Sequence, residues 1–493
     1  MKIELMRHQK EALQRFSQRP YWANFSEPGT GKTLTLLADA ARLYFQGEIE
    51  GVLVIAPNGV HENWSRIEIP KSLDAPYLTG VWRSGMKDSD VRKLWNRLLD
   101  FDATEQRPLR FFLISYDALI TKKGFAAADK FLDTMRCVII ADESHRFKNP
   151  TTATARCMMA LRPKADYVRI ATGTPMTNEP TDVFSQFEFM ESGLLGTTSF
   201  RAFKARYAEL LDGSDYVFRK MVEKNPRVVH AQIVKKDERG QPIWRDLDKL
   251  HELIYQHAFR VEKKDCLDLP EKLYTTRYFE LSPLQRATYN RLFEERRLDL
   301  ASGDVETFDK LAVLSKLRQV TSGFILLKDD KAILEDADGR LECLMDIIES
   351  TNGQIIVFAH FNEEIRKIAE RLTEAGERFA TYYGPTSAED RRKAIDDFQN
   401  GDIRIFLGNP AAAGTGLTLT AAKTVVYYSN DFSLLNRQQS EDRAHRIGQR
   451  NNVLYIDIVA TETIDEAIAD ALQRKTDLIE KVIAVTRKTS DNS

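Results

Sequence analysis

A glycine-rich segment near the start of the sequence has the residue types of a phosphate-binding turn. Residues 26–33 (SEPGTGKT) open a helical pattern, TLTLLADAARLYF, so backbone N–H groups and a helix N-terminus can face phosphate oxygens. Lys32 would then reach the terminal phosphates of a nucleotide, and the Thr33 hydroxyl would hold Mg²⁺. The residues expected to contact the nucleotide are Glu27, Pro28, Gly29, Thr30, Gly31, Lys32 and Thr33.

The same segment also has a plain structural interpretation, a glycine-rich turn before a helix. The tripeptide Gly-Lys-Thr is common by chance, given average amino-acid usage. The segment also departs from the usual P-loop pattern, because Ser26 stands where a first glycine is usual. A phosphate site therefore needs a second, independent element.

Two adjacent acids provide that element. The apolar run 137–141 (CVIIA) ends at Asp142 and Glu143, and α/β sheets bind ligands at the carboxyl ends of their strands. Asp142 can hold the Mg²⁺ shell, while Glu143 can orient and deprotonate an attacking water. The alternative is a solvated acidic turn that caps a helix. The phosphate-turn pattern upstream favours the catalytic interpretation.

An arginine-rich segment lies near the other end of the chain, at residues 439–449 (QSEDRAHRIGQ). At helical spacing, Arg443 and Arg446 share one face. Arginines on a separate lobe can stabilise charge on a transferring phosphoryl group, which would couple hydrolysis to closure of the lobes. The alternative for this segment alone is a solvated, arginine-rich helix.

The elements that must hold these residues follow an α/β rhythm. Short β-branched or aromatic runs are each followed by turn residues and a longer helical pattern, which is typical of buried parallel strands with crossover helices. The predicted strands are 52–56, 111–114, 138–141 and 168–171 in the first half, and 355–358, 404–407, 424–428 and 454–459 in the second.

This rhythm predicts α/β domains at 1–190 and 341–493. Between them, residues 191–340 show apolar residues at helical spacing with charged faces, so this middle region is expected to be mostly helical. Within it, residues 212–241 mix charge, glycine and proline, which predicts an exposed loop or hairpin.

Composition adds limits. Lysine plus arginine (71) and aspartate plus glutamate (73) nearly cancel, so nucleic-acid binding would need a local surface. The four cysteines lie far apart with no Cys-x-x-Cys pair, which argues against a zinc site or disulfide framework and fits a reducing compartment. The sequence has no signal-peptide pattern and no apolar stretch approaching the ~20 residues of a membrane span.

Taken in order, the motifs resemble helicase superfamily two, and within it the Swi/Snf-related DNA translocases. The resemblance extends to LMRHQ, APNGVHENW, ISYDAL and ATGTPMTN in the first half, and to IIVFAHF, YYGPTSAEDRR, AAAGTGLTLTAA and QSEDRAHRIGQR in the second. The middle strings FRVEKKDCLDLPEK, LSPLQRATY and LRQVTSGF resemble signatures of Swi/Snf-related proteins. The details lean towards a branch with annealing helicases and small viral or bacterial members.

The resemblance implies an α/β fold of two RecA-like parallel-sheet lobes with a helical insertion, and hydrolysis of ATP with Mg²⁺ in the cleft between the lobes. It implies that Gln9 reads adenine, that Gly416 lines the cleft, and that Thr172 and Gly173 couple the nucleotide to a DNA track. The expected activity is translocation on duplex or branched DNA. Alternatives are a strand-separating or RNA-acting helicase, and a clamp that binds ATP without turnover.

A motor that does not read sequence should contact phosphates and sugars through backbone N–H groups, hydroxyls and small residues. Loops with this chemistry follow several predicted strands, although each alone could be a plain turn. The expected DNA contacts are Asn58, Gly59, Ser115, Tyr116, Thr172, Gly173, Gly384, Thr386, Gly414 and Thr415.

The sequence shows no appended chromatin-reader or zinc module, which favours a bacterial or viral source. We therefore expect a cytoplasmic protein, or a viral protein acting inside a host cell. It is expected to be a monomer with no membrane association. The motifs predict no particular protein partner.

Overall fold

The computed structural model describes residues 1–58, 60–99, 107–177, 179–238, 241–267, 269–302, 307–326, 331–334, 337–413, 417–446 and 448–484. The chain divides into two compact units. The first comprises Met1–Asp268 with Leu478–Ser493, and the second comprises Leu269–Asp477.

The first unit is built on a parallel sheet. Its strands are β1 (Tyr21–Asn24), β2 (Gly51–Ala56), β3 (Tyr77–Val81), β4 (Leu109–Ser115), β5 (Cys137–Asp142), β6 (Tyr167–Ala171) and β7 (Ala258–Phe259). They lie side by side in the order β3-β4-β2-β5-β6-β1-β7, and each pairing is parallel.

The helices of the first unit are α1 (Arg7–Phe16), α2 (Lys32–Phe45), α3 (Val60–Asn63), α4 (Ile69–Ser72), α5 (Asp88–Leu99), α6 (Tyr116–Leu119), α7 (Lys122–Thr134), α8 (Ala153–Leu161), α9 (Phe184–Met190), α10 (Phe200–Tyr207), α11 (Tyr216–Lys224), α12 (Leu247–Tyr255) and α13 (Lys263–Cys266). A π-helical turn, Trp64–Glu68, connects α3 to α4.

The central strands of this sheet are buried along their whole length, because helices cover both faces. Successive side chains of a strand point to opposite faces. Accordingly, Leu53 and Ile55 pack in one apolar cluster, and Val52 and Val54 pack in another on the other face. The carboxyl ends of the parallel strands share one edge, and the loops that follow them carry the predicted site.

The second unit contains β8 (Lys272–Phe279), β9 (Phe324–Leu326), β10 (Lys331–Ile333), β11 (Ile355–Phe358), β12 (Phe379–Tyr382), β13 (Ile405–Gly408), β14 (Thr424–Tyr427) and β15 (Val453–Ala460). A parallel sheet has the order β12-β13-β11-β14-β15-β8, while β9 and β10 form an antiparallel pair.

Its helices are α14 (Pro283–Ser302), α15 (Thr307–Thr321), α16 (Gly339–Ser350), α17 (Asn362–Glu374), α18 (Ala388–Asn400), α19 (Pro410–Ala413), α20 (Leu434–Ala444) and α21 (Ile464–Ala484), of which the residues after Asp477 are counted with the first unit. Across the described ranges of both units, no helix combines the length and the apolar character that crossing a membrane requires.

Two parallel sheets with crossover helices confirm the predicted α/β class, and every strand predicted from the sequence is present. The middle region, 191–340, contains helices α10 to α15, as expected from its helical spacing, but it also contains strands β7 to β10. It is divided between the units, since β7 joins the first sheet and β8 joins the second. β8 is an edge strand with exposed side chains, so its sequence KLYTTRYF lacks the apolar run of a buried strand. Residues 212–241 contain α11, and antiparallel bridges of Leu210 with Val234 and of Lys236 with Pro242 agree with the predicted hairpin.

Candidate functional site

The phosphate turn lies between β1 and α2. Gly29 and Gly31 have φ values of 86° and 83°, a left-handed conformation that glycine adopts without steric cost. α2 begins at Lys32, and the first N–H groups of a helix have no partner within it, which makes this end suited to anions. Lys32 Nζ donates to the carbonyl of Ser26 at 2.9 Å, so its ammonium group folds back onto the turn.

Ser26, the departure from the usual glycine, is buried within the turn. Its N–H donates to Asn24 Oδ1 at 3.2 Å, and its carbonyl accepts from Lys32. Its hydroxyl is buried and has no hydrogen-bond partner in the described part of the chain. A buried, unsatisfied hydroxyl is costly unless something else satisfies it. Beside an ammonium group and a helix N-terminus, it fits a phosphate oxygen of a nucleotide.

Gln9 lies against this turn rather than away from it. Its Nε2 donates to the Gly31 carbonyl at 3.1 Å and lies 3.4 Å from the Thr30 carbonyl, while Oε1 accepts from the Met6 N–H at 2.9 Å. A β-carbon at Gly31 would lie 2.3 Å from Gln9 Nε2, the end of a flexible side chain, and the positive φ of Gly31 independently favours glycine at this position. Gln9 therefore supports the phosphate turn in this structure, and its adenine-reading role stays a prediction.

A second support comes from residues 261–263, a distant part of the chain that was not predicted to belong to the site. Glu27 Oε2 accepts from the Lys263 N–H at 2.8 Å, and the Glu27 N–H donates to the Val261 carbonyl at 3.1 Å. Gly173 also lies close to the turn, since a β-carbon at this position would lie 2.4 Å from Pro28 Cδ. The turn is therefore held by segments that follow β6 and β7.

The acidic pair lies at the carboxyl end of β5. Asp142 Oδ2 accepts from Trp64 Nε1 at 3.0 Å, and Oδ1 accepts from the Glu143 N–H at 3.0 Å. The Tyr116 hydroxyl donates to the Asp142 carbonyl at 2.8 Å. Glu143 has φ 54°, an uncommon conformation for a residue other than glycine, and such strain concentrates at functional sites.

A buried network connects Glu143 to the loop after β6. The Thr172 hydroxyl donates to Glu143 Oε2 at 3.1 Å, and His145 Nδ1 lies 2.9 Å from the same hydroxyl and 3.3 Å from Glu143 Oε2. The Thr174 N–H also donates to Thr172 Oγ1 at 3.1 Å. His145 was not predicted as a site residue, although it lies only two positions after Glu143.

The two acids have opposite pKa shifts. Burial, reinforced by the charge of Glu143, raises the pKa of Asp142. Burial alone would also raise the pKa of Glu143, but the hydrogen bond and charge of His145, together with the charge of Lys32, lower it below its ordinary value. Glu143 is therefore the ionised acceptor of the pair. Its side chain remains 26% exposed, so a water molecule can reach it.

The residues fit a magnesium ion bound together with phosphate oxygens. Within the described ranges, no cluster of three or more His, Cys, Asp or Glu side chains could hold a metal ion. Mg²⁺ usually takes one or two protein oxygens and completes its shell with water and substrate phosphates. Asp142 supplies an oxygen ligand of that kind, and so does the half-buried Thr33 in the first turn of α2.

The two arginines of the second unit are brought together differently from the prediction. α20 ends before His445, whose Nε2 lies 2.6 Å from the Pro270 carbonyl and whose backbone is not helical. Arg446 therefore lies beyond the helix, and helical spacing does not relate it to Arg443. Both guanidinium groups nevertheless point to one carbonyl, since Arg446 Nη1 and Arg443 Nη1 donate to Leu417 at 3.0 and 3.5 Å.

A buried ionic cluster anchors α20 and was not foreseen from the sequence. Arg437 donates to Glu441 Oε1 at 2.7 Å and to both carboxylate oxygens of Asp457, and Lys272 Nζ lies 2.9 Å from Glu441 Oε2. Burial alone would raise the pKa of Glu441, but the charges of Lys272 and Arg437 lower it to about 2. These contacts fix α20, the helix that carries Arg443.

The predicted DNA contacts of the first unit follow three strands at the same sheet edge. Asn58 follows β2 and is exposed, while Gly173 follows β6. The hydroxyl of Ser115 caps α6, and Thr172 is buried in the Glu143 network. Tyr116 differs most from the expectation, because its side chain is buried and supports Asp142 instead of facing outwards.

In the second unit, Gly384 and Thr386 follow β12 in a turn closed by a 3.1 Å bond from the Thr386 N–H to the Tyr383 carbonyl. Gly384 is exposed. The remaining predicted contacts lie outside the described residues. They are Gly59, Gly414, Thr415 and the predicted cleft residue Gly416.

The fold and the site together define a class, an α/β protein with two parallel sheets and a P-loop-type phosphate site beside an acidic pair. Family models give the particular assignment. The SNF2-related domain matches residues 9–323, and the Helicase conserved C-terminal domain matches residues 339–448. The chain belongs to the SNF2-related family, which confirms the resemblance drawn from its motifs.

Several curated proteins are similar over most of the chain. An uncharacterized ATP-dependent helicase of Mycoplasma pneumoniae is 26% identical over 467 residues, which cover 93% of this chain and 40% of that protein. The putative ATP-dependent helicase/translocase YwqA of Bacillus subtilis is 27% identical, with 92% and 46% covered. The mouse DNA annealing helicase and endonuclease ZRANB3 is 26% identical, with 91% and 38% covered. The chain thus spans less than half the length of these relatives.

Among solved structures, the chain is similar to the SWI2/SNF2 ATPase core of Sulfolobus solfataricus in complex with dsDNA. The two share 23% sequence identity over 98% of this chain and 93% of that chain, with a TM-score of 0.41.

Proposed function

We propose that this chain hydrolyses ATP and uses the energy to move along duplex or branched DNA. The observation that carries the proposal is the hydrogen-bonded network of Glu143, Thr172 and His145. It joins the residue best suited to activate water to a loop with the chemistry of a DNA contact. Curated relatives named as ATP-dependent helicases support the same activity.

The nucleotide would be held by groups that already converge on one sheet edge. Lys32 and the first N–H groups of α2 would bind the phosphates, and Thr33 with Asp142 would hold Mg²⁺. The metal ion, when bound, would neutralise charge on the phosphates. Glu143, ionised and strained, would orient the attacking water and accept its proton.

Arg443 and Arg446 are proposed to stabilise the charge that develops on the transferring phosphoryl group of the same nucleotide. Both guanidinium groups donate to the Leu417 carbonyl, and Arg443 lies in the last turn of the anchored helix α20. The two arginines therefore form a paired cationic group. Arginine supplied from a separate element is a recurrent device in phosphoryl transfer. Turnover would then depend on both units.

DNA binding would depend on local surfaces, because the formal net charge of the chain is only -2. Loops after parallel strands offer backbone N–H groups and small residues, which contact phosphates without reading bases. Binding of DNA at the loop after β6 would affect Glu143 through the hydrogen bond that the Thr172 hydroxyl donates to it. Each cycle of hydrolysis would thereby be tied to DNA contact.

The test is ATP hydrolysis by the full chain with single-stranded DNA, duplex DNA, forked DNA or RNA at low salt. We expect duplex or forked DNA to give the largest stimulation. Equal rates with and without every nucleic acid would contradict the proposal. Stimulation by RNA alone would assign the chain to an RNA track.

A second assay separates translocation from strand separation. A translocase should displace the third strand of a DNA triplex but leave a forked duplex intact, whereas a strand-separating helicase should release both. Tight ATP binding with negligible turnover under all of these conditions would instead indicate a clamp.

A further inference from the structure

Trp64 is a buried residue whose indole N–H donates to Asp142, the proposed metal ligand. Its Nε1 donates to Asp142 Oδ2 at 3.0 Å, and the side chain is 1% exposed. The other carboxylate oxygen, Oδ1, accepts from the Glu143 N–H. Both oxygens of Asp142 are therefore oriented by fixed donors. An ionised carboxylate has about four lone-pair sites, so each oxygen retains acceptor capacity for a metal ion or its water.

The backbone that carries Trp64 leads directly from the loop predicted to contact DNA. That loop follows β2 and includes the exposed residue Asn58, and the Val60 N–H donates to the Pro57 carbonyl at 3.1 Å, which ties the loop to α3. Trp64 then opens the π-helical turn, whose wide spacing is marked by a bond from the Ile69 N–H to the Trp64 carbonyl. Such turns are rare in proteins, and those that occur are often found at functional sites.

We propose that Trp64 is a positioning residue that connects this DNA-contact loop to Asp142, so that contact with duplex DNA sets the orientation of the metal-binding carboxylate. This inference rests on the proposed function. A displacement of the loop would be carried through one short helix to the indole N–H. Rotation or withdrawal of that donor would change the orientation of the Asp142 carboxylate, which would hold the metal ion.

The physical reason lies in the geometry of metal binding. Mg²⁺ demands near-ideal octahedral geometry, so it is sensitive to the orientation of its few protein ligands. Mutation of a residue that hydrogen-bonds to a metal ligand typically lowers metal affinity or activity by about 10–100-fold. A donor attached to the track loop can therefore link DNA binding to metal affinity without touching either phosphate or water.

The test is Trp64→Phe, which keeps an aromatic ring and removes the N–H donor. The chain offers a matched control, Trp22→Phe. Trp22 is fully buried in the same unit, and its Nε1 donates at 3.2 Å to Asp39 Oδ2, a carboxylate that is not one of the acidic pair. Two quantities are measured in each variant. One is the Mg²⁺ concentration for half-maximal binding of a fluorescent ADP analogue, and the other is the ratio of ATPase rates with and without duplex DNA.

We expect Trp64→Phe to raise the half-maximal Mg²⁺ concentration about tenfold. The DNA stimulation ratio should fall even at saturating Mg²⁺, because the link to the loop is lost. Trp22→Phe should leave both quantities unchanged. If Trp64→Phe does not fold, a benzothienyl-alanine at position 64 preserves shape while replacing the N–H with sulfur, and the same two changes are expected.

Failure of this inference is distinguishable from failure of the proposed function. If the wild-type chain is stimulated by DNA and the Trp64 variant keeps either the wild-type Mg²⁺ requirement or the wild-type stimulation ratio, the linking role is overturned. If the wild-type chain shows no stimulation by any nucleic acid, the proposed function itself fails.

Discussion

The nucleotide site of the first unit and the arginine segment of the second unit are held in different ways. In the first unit, the candidate catalytic groups bond to one another and to neighbouring loops, as Glu143 does with Thr172. In the second, ionic contacts such as that of Arg437 with Asp457 anchor α20, while Arg443 and Arg446 both donate to the Leu417 carbonyl.

This difference indicates a division of labour. A network of mutual hydrogen bonds fixes the positions of an acid pair and tunes its pKa values, which suits proton transfer from water. An anchored helix with cations at its end suits electrostatic stabilisation, which needs fixed charges but no proton exchange. Changes in the first unit should therefore alter chemistry directly, and changes in the anchoring cluster should alter stability first.

The largest effect is expected from Glu143→Gln. Removing the ionised acceptor should lower kcat by as much as about 10⁴-fold while ATP binding persists. Single-turnover hydrolysis and binding of a fluorescent ATP analogue measure the two effects. Glu48→Gln is the control, because Glu48 is an exposed acid of the same unit that accepts from the Tyr167 hydroxyl at 3.1 Å. Unchanged turnover in the Glu143 variant would remove this residue as the base.

Arg446→Ala tests whether the second unit takes part in the chemistry. Loss of an arginine that stabilises the transferring phosphoryl group should lower kcat about 10³-fold. The structure of the second unit should persist, because Arg446 lies outside the anchoring cluster. The exposed Arg450, close by in sequence, provides the control variant Arg450→Ala. If both variants hydrolyse ATP at the wild-type rate, hydrolysis belongs to the first unit alone.

Thr172→Val tests the network itself. The variant keeps the side-chain shape but removes the hydroxyl shared by Glu143 and His145. A lost hydrogen bond to a charged group costs about 1.5 kcal/mol, so kcat should fall about tenfold with ATP affinity retained. The control is Thr181→Val, which removes another buried hydroxyl of the same unit. That hydroxyl donates to Glu179 at 2.6 Å. Equal losses in the two variants would show a general packing effect.

Much of this site was predictable, because phosphate turns and acidic pairs are local patterns. The residues that support them were not. Lys263 and Glu27 meet across 236 positions of sequence, and Trp64 meets Asp142 across 78, separations at which periodicity carries no information. The end of α20 was likewise missed, since helical spacing at Arg443 and Arg446 gave no sign that His445 would leave the helix.

The fold shows the same contrast between local and distant determinants. β2 was predicted because burial on both faces produces a continuous apolar run, GVLVIA. β8 was missed because it lies at the edge of its sheet beside β15 and exposes Tyr274 and Tyr278, so its sequence lacks both a continuous apolar run and a regular alternation. Edge strands are specified by their neighbours more than by their own composition.

The smallest effect on chemistry, and the largest on stability, is expected from Glu441→Gln. Its side chain is 8% exposed, and removing its charge leaves Lys272 and Arg437 partly uncompensated. The second unit should lose about 3 kcal/mol of unfolding free energy. All five tryptophans lie before residue 269, so tryptophan fluorescence follows the first unit, while hydrogen exchange at β14 and β15 follows the second. Equal loss in both units would contradict the division of labour.

The same variant should change the pH dependence of the second unit. The pKa of Glu441 is about 2 in the folded chain, below its ordinary value of 4.5. Its stabilising contribution is therefore complete above pH 4.5 and is lost as the pH falls towards 2. The stability difference between the wild-type chain and Glu441→Gln should narrow over this range. A difference that stays constant would show that Glu441 does not titrate as described.

The central claim is that DNA contact controls hydrolysis at the Lys32 and Glu143 site. The most direct measurement is the rate of ATP hydrolysis by the wild-type chain in a single turnover, with and without duplex DNA, at low salt. We predict a sharp rise when duplex is present, and loss of that rise as salt screens the phosphate contacts. The same rate with and without duplex DNA would contradict the account.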